Sequence, residues 1–384
     1  MARTEKVGFM ARKIFIAATG QNSGKTTTSF FLLHLARKKY RRVGYVKPLG
    51  PKPAVLNGVE VDKDAALIAQ AYGLGRDLRL MSPVVLHHDS TRKVIDGEIS
   101  ADSLCQRIID ACAELERKYD FLIIEGSGHV GVGSVVGLSN ARIARLLDAP
   151  VLLVTGGGIG SVVDAVHMNL ALFEKEGVDV RAILANKLHS DKRATVLDYL
   201  CRVFADEHLQ VVAGFDYQPV LANPTLRRVA DLLDLPLHGN KRDVRRIINH
   251  VQIGAASTQR VAELLKDSTL LIVTSSRDEL LVTMANLYQI PEYRGKLAGL
   301  VIPGIIPISR ITQQILDRSN IPYLRTQSHT TADLHRIISE DVSKLTVQDT
   351  EKLSLLRTLA EGFDFAGLDA LFAPHLSSDF PASR

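Results

Sequence analysis

The sequence contains little cysteine and no long apolar run. Its three cysteines, Cys105, Cys112 and Cys201, are too few for a disulfide framework and form no CxxC pair, which favours a reducing compartment. No apolar run approaches the roughly 18 residues that a membrane helix needs. The apolar stretch after the basic amino terminus is too short for a signal peptide. We therefore expect a cytoplasmic protein without membrane spans.

The sequence also has no strong excess of one charge. It carries 47 basic and 42 acidic residues, for a formal net charge of +5. Nucleic-acid-binding proteins usually concentrate basic residues in a stripe or patch. Here basic residues cluster in only two short segments, at residues 37–42 and 241–246. We therefore expect no nucleic-acid partner.

The first 215 residues alternate short apolar runs with longer amphipathic stretches. The runs are rich in Val, Ile and Leu without strict alternation, which is typical of parallel strands covered on both faces. They lie at residues 13–18, 42–47, 119–125, 149–156, 180–187 and 209–215. This alternation predicts an α/β domain with a doubly wound, mostly parallel sheet over residues 1–215.

A smaller α/β domain is predicted for residues 216–340. Its first helix is expected at residues 224–235, with Asn223 as the N-cap and proline in the first helical position. Residues 341–384 are predicted to form a helical carboxyl-terminal extension that ends in a loose tail.

A glycine-containing segment between the first strand and the first helix predicts a phosphate-binding P-loop of the Walker A type. It comprises Gly20, Gln21, Asn22, Ser23, Gly24, Lys25, Thr26 and Thr27. Its backbone N–H groups and the helix amino terminus suit a phosphate. Lys25 would reach the β- and γ-phosphates, and the Thr26 hydroxyl would ligate Mg²⁺. The loop is divergent, because Thr19 occupies the place of the first glycine; the alternative is a strand–helix turn that happens to contain a lysine.

Three acidic residues, in two segments of the sequence, are candidates for the metal site. Glu125 ends a strong apolar strand, and strand carboxyl ends are where ligands bind in doubly wound sheets. A surface or helix-capping glutamate is the alternative. Asp62 and Asp64 precede the apolar face of a helix, where simple N-capping explains them equally well.

Six segments along residues 12–215 together resemble the dethiobiotin synthetase-like family of P-loop enzymes, and most closely the amino-terminal part of long phosphotransacetylases. They read FIAATGQNSGKTT, VGYVKP, DKDAALI, LIIEGSGH, LSNARIARLLDAPVLLVTGGGIGSVVDAV and AILANK. The resemblance implies that Gly24, Lys25 and Thr26 bind ATP phosphates. It also implies that Asp64 and Glu125 complete a Mg²⁺ site with Thr26.

The resemblance assigns two further residues. Asn186 matches the asparagine that reads the adenine edge, a role suited to an amide that both donates and accepts. Lys47 matches the lysine near the transferred phosphate. The serine-containing turn that follows this lysine in dethiobiotin synthetases is absent, and His129 follows Glu125. Biotin synthesis is therefore not favoured, and His129 is either a substrate contact, a proton shuttle or neither.

The second domain resembles the DRTGG domain, which accompanies the synthetase-like part in long phosphotransacetylases and implies a regulatory role. The matching stretches read LANPTLRRVADLL, IGAAS, LLIVTSSRDELLVTMA and LAGLVIPG. Residues 254–257 and 277–278 are its expected exposed contacts, or else helix caps. An acetyl-transfer domain needs roughly 300 further residues, so we do not expect a phosphotransacetylase. Core packing is expected to explain the three cysteines, which argues against a glutamine amidotransferase.

The sequence thus predicts a protein that binds ATP and Mg²⁺. It would act as a nucleotide-dependent regulator or as a synthetase-like ATPase of unassigned substrate. The alternative is an ATP-dependent, amide-forming ligase that phosphorylates a carboxylate or carbamate. Besides nucleotide, we expect a small-molecule or protein partner, no membrane partner and, by resemblance, a homodimer.

Overall fold

The fold is described from a computed structural model, which covers residues 11–205, 209–240, 242–341 and 345–373. These residues divide into two compact units. The first unit runs to Tyr217 and includes the segment from Leu353 onward, and the second unit comprises Gln218–Lys352. Residues from Leu353 therefore group with the first unit, whereas residues 341–384 are predicted as a separate extension. The predicted loose tail, beyond residue 373, lies outside the described residues.

The first unit contains a strand-rich core with helices between the strands. Its strands are β1 (Arg12–Ala18), β2 (Val43–Val46), β3 (Leu49–Gly50), β4 (Pro53–Leu56), β5 (Val59–Asp62), β6 (Val84–Val85), β7 (Phe121–Glu125), β8 (Val151–Thr155), β9 (Val180–Ala185) and β10 (Gln210–Ala213). Its helices before the second unit are α1 (Lys25–Lys39), α2 (Lys63–Tyr72), α3 (Leu78–Met81), α4 (Ser90–Ile95), α5 (Ala101–Lys118), α6 (Asn140–Leu146), α7 (Gly160–Glu176) and α8 (Arg193–Phe204).

Six strands form one parallel sheet in the order β10-β9-β8-β1-β7-β2. They coincide with the six apolar runs, because strands covered on both faces need apolar side chains throughout. The order reverses at β1: β2 and β7 lie on one side of it, and β8 to β10 lie on the other. The predicted doubly wound α/β class is confirmed. Ligands bind at the strand carboxyl ends beside such a reversal.

Helix α5 illustrates how the sequence pattern positions a helix on this sheet. Ser100 caps its amino terminus by accepting a hydrogen bond from the Ser103 N–H. The buried side chains are Leu104, Ile108, Ala111, Cys112 and Leu115, at the spacing of one helical face. Core packing therefore explains Cys112. It does not explain Cys201 on α8, which is exposed, so that part of the cysteine prediction is wrong.

The second unit is a smaller α/β fold. Its elements are α9 (Pro219–Ala222), α10 (Leu226–Leu233), β11 (Leu237–His238), β12 (His250–Ile253), α11 (Thr258–Glu263), β13 (Thr269–Ile272), α12 (Asp278–Leu287), α13 (Pro291–Lys296), β14 (Leu297–Pro303), α14 (Arg310–Ser319), β15 (Tyr323–Thr326) and α15 (Thr331–Glu340). The sheet order is β11-β15-β14-β13-β12, parallel except for β11. Apolar clusters cover both of its faces.

The start of α10 differs from the prediction. Thr225, not Asn223, is the N-cap, and its side chain accepts a hydrogen bond from the Arg228 N–H. Pro224 therefore precedes the cap instead of opening the helix. The residue before a proline is held in an extended conformation, as Asn223 is. Asn223 is not the cap, because α10 begins only at Leu226, after Thr225.

Two helices complete the described chain: α16 (Thr350–Ala360) and α17 (Phe365–Leu371). Within the first unit, α17 carries Asp369, whose side chain is fully buried. Its carboxylate lies 2.6 Å from Arg12 Nη1, 2.6 Å from Lys39 Nζ and 2.9 Å from the Tyr40 hydroxyl. These contacts attach α17 to β1 and α1. Among the described residues, no helix has the length and apolar character needed to cross a bilayer.

Candidate functional site

The phosphate loop joins β1 to α1 through two left-handed residues. Asn22 has φ 58° and Gly24 has φ 105°. A Cβ atom on Gly24 would lie 2.3 Å from Asn186 Nδ2, so both conformation and space require glycine there. Gln21 and Asn22 are exposed, whereas Ser23 is buried and its hydroxyl donates to the Gly20 carbonyl at 3.1 Å.

The amino terminus of α1 suits an anion. Its first turn reads KTTT and has no acidic residue, and none of the described side chains caps it. The helix N–H groups and dipole therefore favour negative charge at this point. Lys25 is buried, and its Nζ donates to the carbonyl of Gly128 in the loop after β7. The Thr27 hydroxyl donates to the Gly24 carbonyl at 2.7 Å, which stiffens the turn.

Glu125 is completely buried at the end of β7, directly beside this loop, and four donors hold its carboxylate. Thr26 Oγ1 and Lys47 Nζ each lie 2.9 Å from Oε1. Ser29 Oγ lies 2.7 Å from Oε2, and the Tyr45 hydroxyl lies 3.0 Å from the same atom. A buried carboxylate needs such partners. Two of them, Ser29 and Tyr45, were not identified from the sequence.

Periodicity offered a signal for both missed residues. Ser29 follows Thr26 by three positions on α1 and so lies on the same helical face. Tyr45 precedes Lys47 by two positions and shares its side of the extended chain. Burial raises the pKa of Tyr45 well above its usual value, and the Glu125 carboxylate raises it further, so the hydroxyl remains a hydrogen-bond donor.

Lys47 joins the two predicted acidic ligands. Its Nζ lies 2.7 Å from Asp64 Oδ2 and 2.9 Å from Glu125 Oε1. Burial alone would lower the pKa of Lys47, but the carboxylates of Glu125, Asp64 and Asp62 raise it above its usual value. The lysine is therefore a buried ammonium ion at neutral pH.

The two aspartates at the start of α2 have different partners. Asp62 is the N-cap, and its Oδ1 accepts from the Asp64 N–H at 2.9 Å. Its Oδ2 accepts from the Lys52 N–H at 3.1 Å. Burial raises the pKa of Asp62, and the nearby Lys47 opposes that rise. Asp62 thus performs the capping, while the Asp64 carboxylate faces Lys47.

Asn186 follows β9 and braces the phosphate loop. Its Nδ2 donates to the Ser23 carbonyl at 3.1 Å, and its Oδ1 accepts from the Phe215 N–H at 3.2 Å. A side-chain amide has two N–H groups and two lone pairs, so each end keeps capacity for a second partner. The neighbouring Lys187 donates to the Asn22 carbonyl at 2.6 Å. These bracing contacts were not predicted from the sequence.

The remaining candidates lie elsewhere. His129 is exposed, and its Nδ1 accepts from the Gly131 N–H at 3.2 Å. In the second unit, the Arg277 guanidinium donates to the carbonyls of Gly254 and Ala256, each at 3.1 Å. The two predicted contact stretches of that unit therefore meet each other, and Ser257 caps α11 as the alternative expected.

Two family models match this chain. A family model described as an AAA domain (AAA_26) matches residues 12–225, and a DRTGG domain model matches residues 235–339. The first match covers more than half of the 384 residues. The chain belongs to the AAA domain family. Relatives of both predicted kinds, phosphate acetyltransferases and dethiobiotin synthetases, confirm the resemblance.

Individual relatives of this AAA domain chain are distant. It is 22% identical over 330 residues to a phosphate acetyltransferase of Synechocystis sp., covering 84% of this chain and 46% of that protein. It is 28% identical over 174 residues to the ATP-dependent dethiobiotin synthetase BioD of Frankia casuarinae, covering 44% and 69%. Among solved structures, MinD of Pyrococcus horikoshii complexed with Mg-ADP matches at 16% identity with a TM-score of 0.33, covering 55% and 84%. The chain spans about half the length of the phosphate acetyltransferases it matches.

Proposed function

We propose that the first unit binds Mg-ATP at the phosphate loop. The protein would act as a nucleotide-dependent regulator or as a synthetase-like ATPase of unassigned substrate. The observation that carries this proposal lies beside the amino terminus of α1: Asp64 and Glu125 both contact the buried Lys47 ammonium group, and the Thr26 hydroxyl donates to Glu125. A P-loop that binds a metal–nucleotide complex needs this combination of hydroxyl, carboxylate and helix terminus.

The donor set fits Mg²⁺. Thr26, Asp64 and Glu125 offer oxygen ligands, which Mg²⁺ prefers, and the ion usually keeps waters and phosphate oxygens as its other ligands. No group of three or more His, Cys, Asp and Glu side chains in the described ranges could hold a metal ion. A site that binds the metal ion together with a nucleotide does not require such a group, because the phosphates supply further ligands. The Lys47 ammonium, bound to both carboxylates, is a stand-in for a cation at this place. When bound, Mg²⁺ would neutralise charge on the phosphates.

The surrounding side chains would then hold the nucleotide. Lys25 and the N–H groups of the loop would bind the phosphates, with Gly20 to Thr27 forming the cradle. Lys47 would stabilise charge on a transferring phosphoryl group. Asn186 would read the adenine edge with the N–H and lone pair that its contacts to Ser23 and Phe215 leave over.

Replacing Asn186 by alanine tests the adenine assignment. We expect ATP affinity to fall about fivefold, since a recognition hydrogen bond is worth roughly 1 kcal/mol. Tripolyphosphate affinity should fall less, because this ligand has no base. Isothermal titration of both ligands measures the ratio, with the exposed Asn57→Ala as the control. Equal losses for the two ligands would instead assign Asn186 to bracing the loop alone.

The alternative is a ligase that phosphorylates a carboxylate or carbamate. The buried Lys47 ammonium favours it, because transfer to an anionic acceptor needs a positive charge close by. The regulator is favoured by the segment after Lys47. Where dethiobiotin synthetases have their serine-containing turn, this chain has β3 followed by Pro51 and Lys52, and the Lys52 N–H donates to Asp62 Oδ2.

ADP production separates these candidates. We expect slow basal ATP hydrolysis that changes little across a panel of carboxylates, amines and bicarbonate. The matched background is Lys25→Ala, which should remove whatever hydrolysis belongs to this site. A substrate that raises ADP production well above the basal rate would establish the ligase instead. Homodimer formation and a cytoplasmic location stay predictions, and analytical ultracentrifugation tests the first.

A further inference from the structure

Lys47 occupies the place where the proposed metal ion has its protein ligands. Its Nζ contacts Asp64 Oδ2 at 2.7 Å and Glu125 Oε1 at 2.9 Å, and the Thr26 hydroxyl donates to that same Oε1. The exposed fractions of the Lys47, Asp64 and Glu125 side chains are 4%, 9% and 0%. The contacts of Lys47 with both carboxylates are therefore shielded from water, and ionic interactions are stronger in such a buried place than in water.

An ammonium ion and a divalent cation cannot both occupy this position. Mg²⁺ takes its oxygen ligands at about 2.0–2.1 Å. A metal ion that bridged Asp64 Oδ2 and Glu125 Oε1 at that distance would overlap the position of Nζ, and the two positive charges would repel each other. Metal binding between these two oxygens thus requires Lys47 to leave.

The local charge keeps Lys47 in place without a ligand. Two buried carboxylates, Asp64 and Glu125, contact the ammonium group of Lys47, and the neighbouring Asp62 is buried as well. Removing the charge of one partner from a buried ionic group is costly, because the others stay desolvated and unpaired. A bound ligand with comparable negative charge would draw the Lys47 ammonium group away from the carboxylates. A triphosphate at the amino terminus of α1 supplies that charge next to Thr26.

We propose that Lys47 holds the metal position in the nucleotide-free protein and exchanges with the metal ion when triphosphate binds. This inference rests on the proposed function, since it uses the same site. The exchange couples the two ligands: metal binds weakly alone, and triphosphate strengthens metal binding by drawing Lys47 to the phosphates. The site would therefore fill with the metal–nucleotide complex and not with free metal.

Terbium luminescence tests the exchange without measuring activity. Tb³⁺ also prefers oxygen ligands, and it emits when a nearby tyrosine is excited. The Tyr45 hydroxyl lies 3.0 Å from Glu125 Oε2, and the sequence contains no tryptophan to compete for excitation. Tb³⁺ is titrated into wild type, Lys47→Met and Lys63→Met, each with and without tripolyphosphate. Lys63 is the matched control, since it lies next to Asp64 but is exposed.

We expect Lys47→Met to bind Tb³⁺ at least about tenfold more tightly than wild type when tripolyphosphate is absent. A unit charge about 3 Å from a carboxylate is worth more than one decade even at an effective dielectric constant of about 20. Tripolyphosphate should strengthen Tb³⁺ binding in wild type and in Lys63→Met, and much less in Lys47→Met. Circular dichroism verifies that Lys47→Met is folded.

The outcomes separate the exchange from the proposed function. Equal Tb³⁺ affinity of wild type and Lys47→Met without tripolyphosphate would overturn the exchange and leave the metal site standing. Absence of Tb³⁺ binding in every variant, with tripolyphosphate present, would overturn the proposed function and the exchange with it. If Lys47→Met does not fold, thermal unfolding of wild type decides: Mg²⁺ should raise Tm only together with tripolyphosphate. A rise with Mg²⁺ alone contradicts the exchange.

Discussion

Replacing Lys25 by alanine is expected to abolish measurable Mg-ATP binding. The side chain is buried at the start of α1, and its ammonium group contacts the Gly128 carbonyl beside the phosphate loop. Alanine removes a charge-assisted hydrogen bond to the phosphates, worth roughly 1.5–3 kcal/mol, together with the positive charge of the loop. We expect affinity to fall by about two orders of magnitude or more in isothermal titration.

The loss should extend to tripolyphosphate, because Lys25 is proposed to bind phosphates and not the base. Lys63→Ala provides the control, since it removes an exposed lysine from the start of another helix in the same unit. Far-UV circular dichroism should be unchanged in both variants. Unaltered ATP affinity in a folded Lys25→Ala protein would contradict the phosphate-loop assignment.

The fold was largely predictable because its physical signals are local. Each strand of the six-stranded sheet coincides with a continuous apolar run, as burial on both faces demands. The N-cap of α10 was not predicted correctly, since Asn223 and Thr225 are both good capping residues on either side of a proline. The local sequence does not decide between them. Thr225 forms a β-bridge with Ile247, and a contact between residues so far apart in the sequence cannot be read from the capping pattern.

The candidate site was predictable only in part. Lys25 and Thr26 stand in a linear motif whose spacing indicates their chemistry. The end of an apolar strand indicated Glu125, and the resemblance supplied Lys47 and favoured Asp64 as a ligand, but nothing in the sequence indicated that one ammonium ion lies between the two carboxylates. Such contacts depend on how β2, α2 and β7 meet in space. The same holds for Ser29 and Tyr45, which contact Glu125 from other elements.

Asp369 presents the clearest case of a long-range contact that sequence patterns missed. It lies in a segment predicted only as a helical extension, yet it is fully buried and contacts Arg12, Lys39 and Tyr40. Burial alone would raise the pKa of Asp369, but hydrogen bonds from Lys39, Arg12 and Tyr40 hold it below its usual value. The same cluster raises the pKa of Tyr40 to about 12, first through burial and then through Asp369.

Asp369→Ala is accordingly expected to lower the free energy of unfolding of the first unit by about 2–3 kcal/mol. Removing one partner from a buried ionic cluster costs roughly 3–5 kcal/mol, and partial exposure of Arg12 and Lys39 reduces that value. Urea unfolding at neutral pH measures the loss. The control is Glu361→Gln in the same carboxyl-terminal segment, whose carboxylate pairs with Lys38 at the surface and should contribute little.

The pH dependence of this loss separates charge from packing. A carboxyl group whose pKa is lower in the folded than in the unfolded protein stabilises the fold above its unfolded pKa of about 3.9. That stabilisation disappears as pH falls through the folded value. The difference between wild type and Asp369→Asn should therefore be complete above about pH 5 and shrink below about pH 4. A difference that stays constant down to acidic pH would show that Asp369 holds α17 by shape and neutral hydrogen bonds. Protonation of its carboxylate would then have no effect on stability.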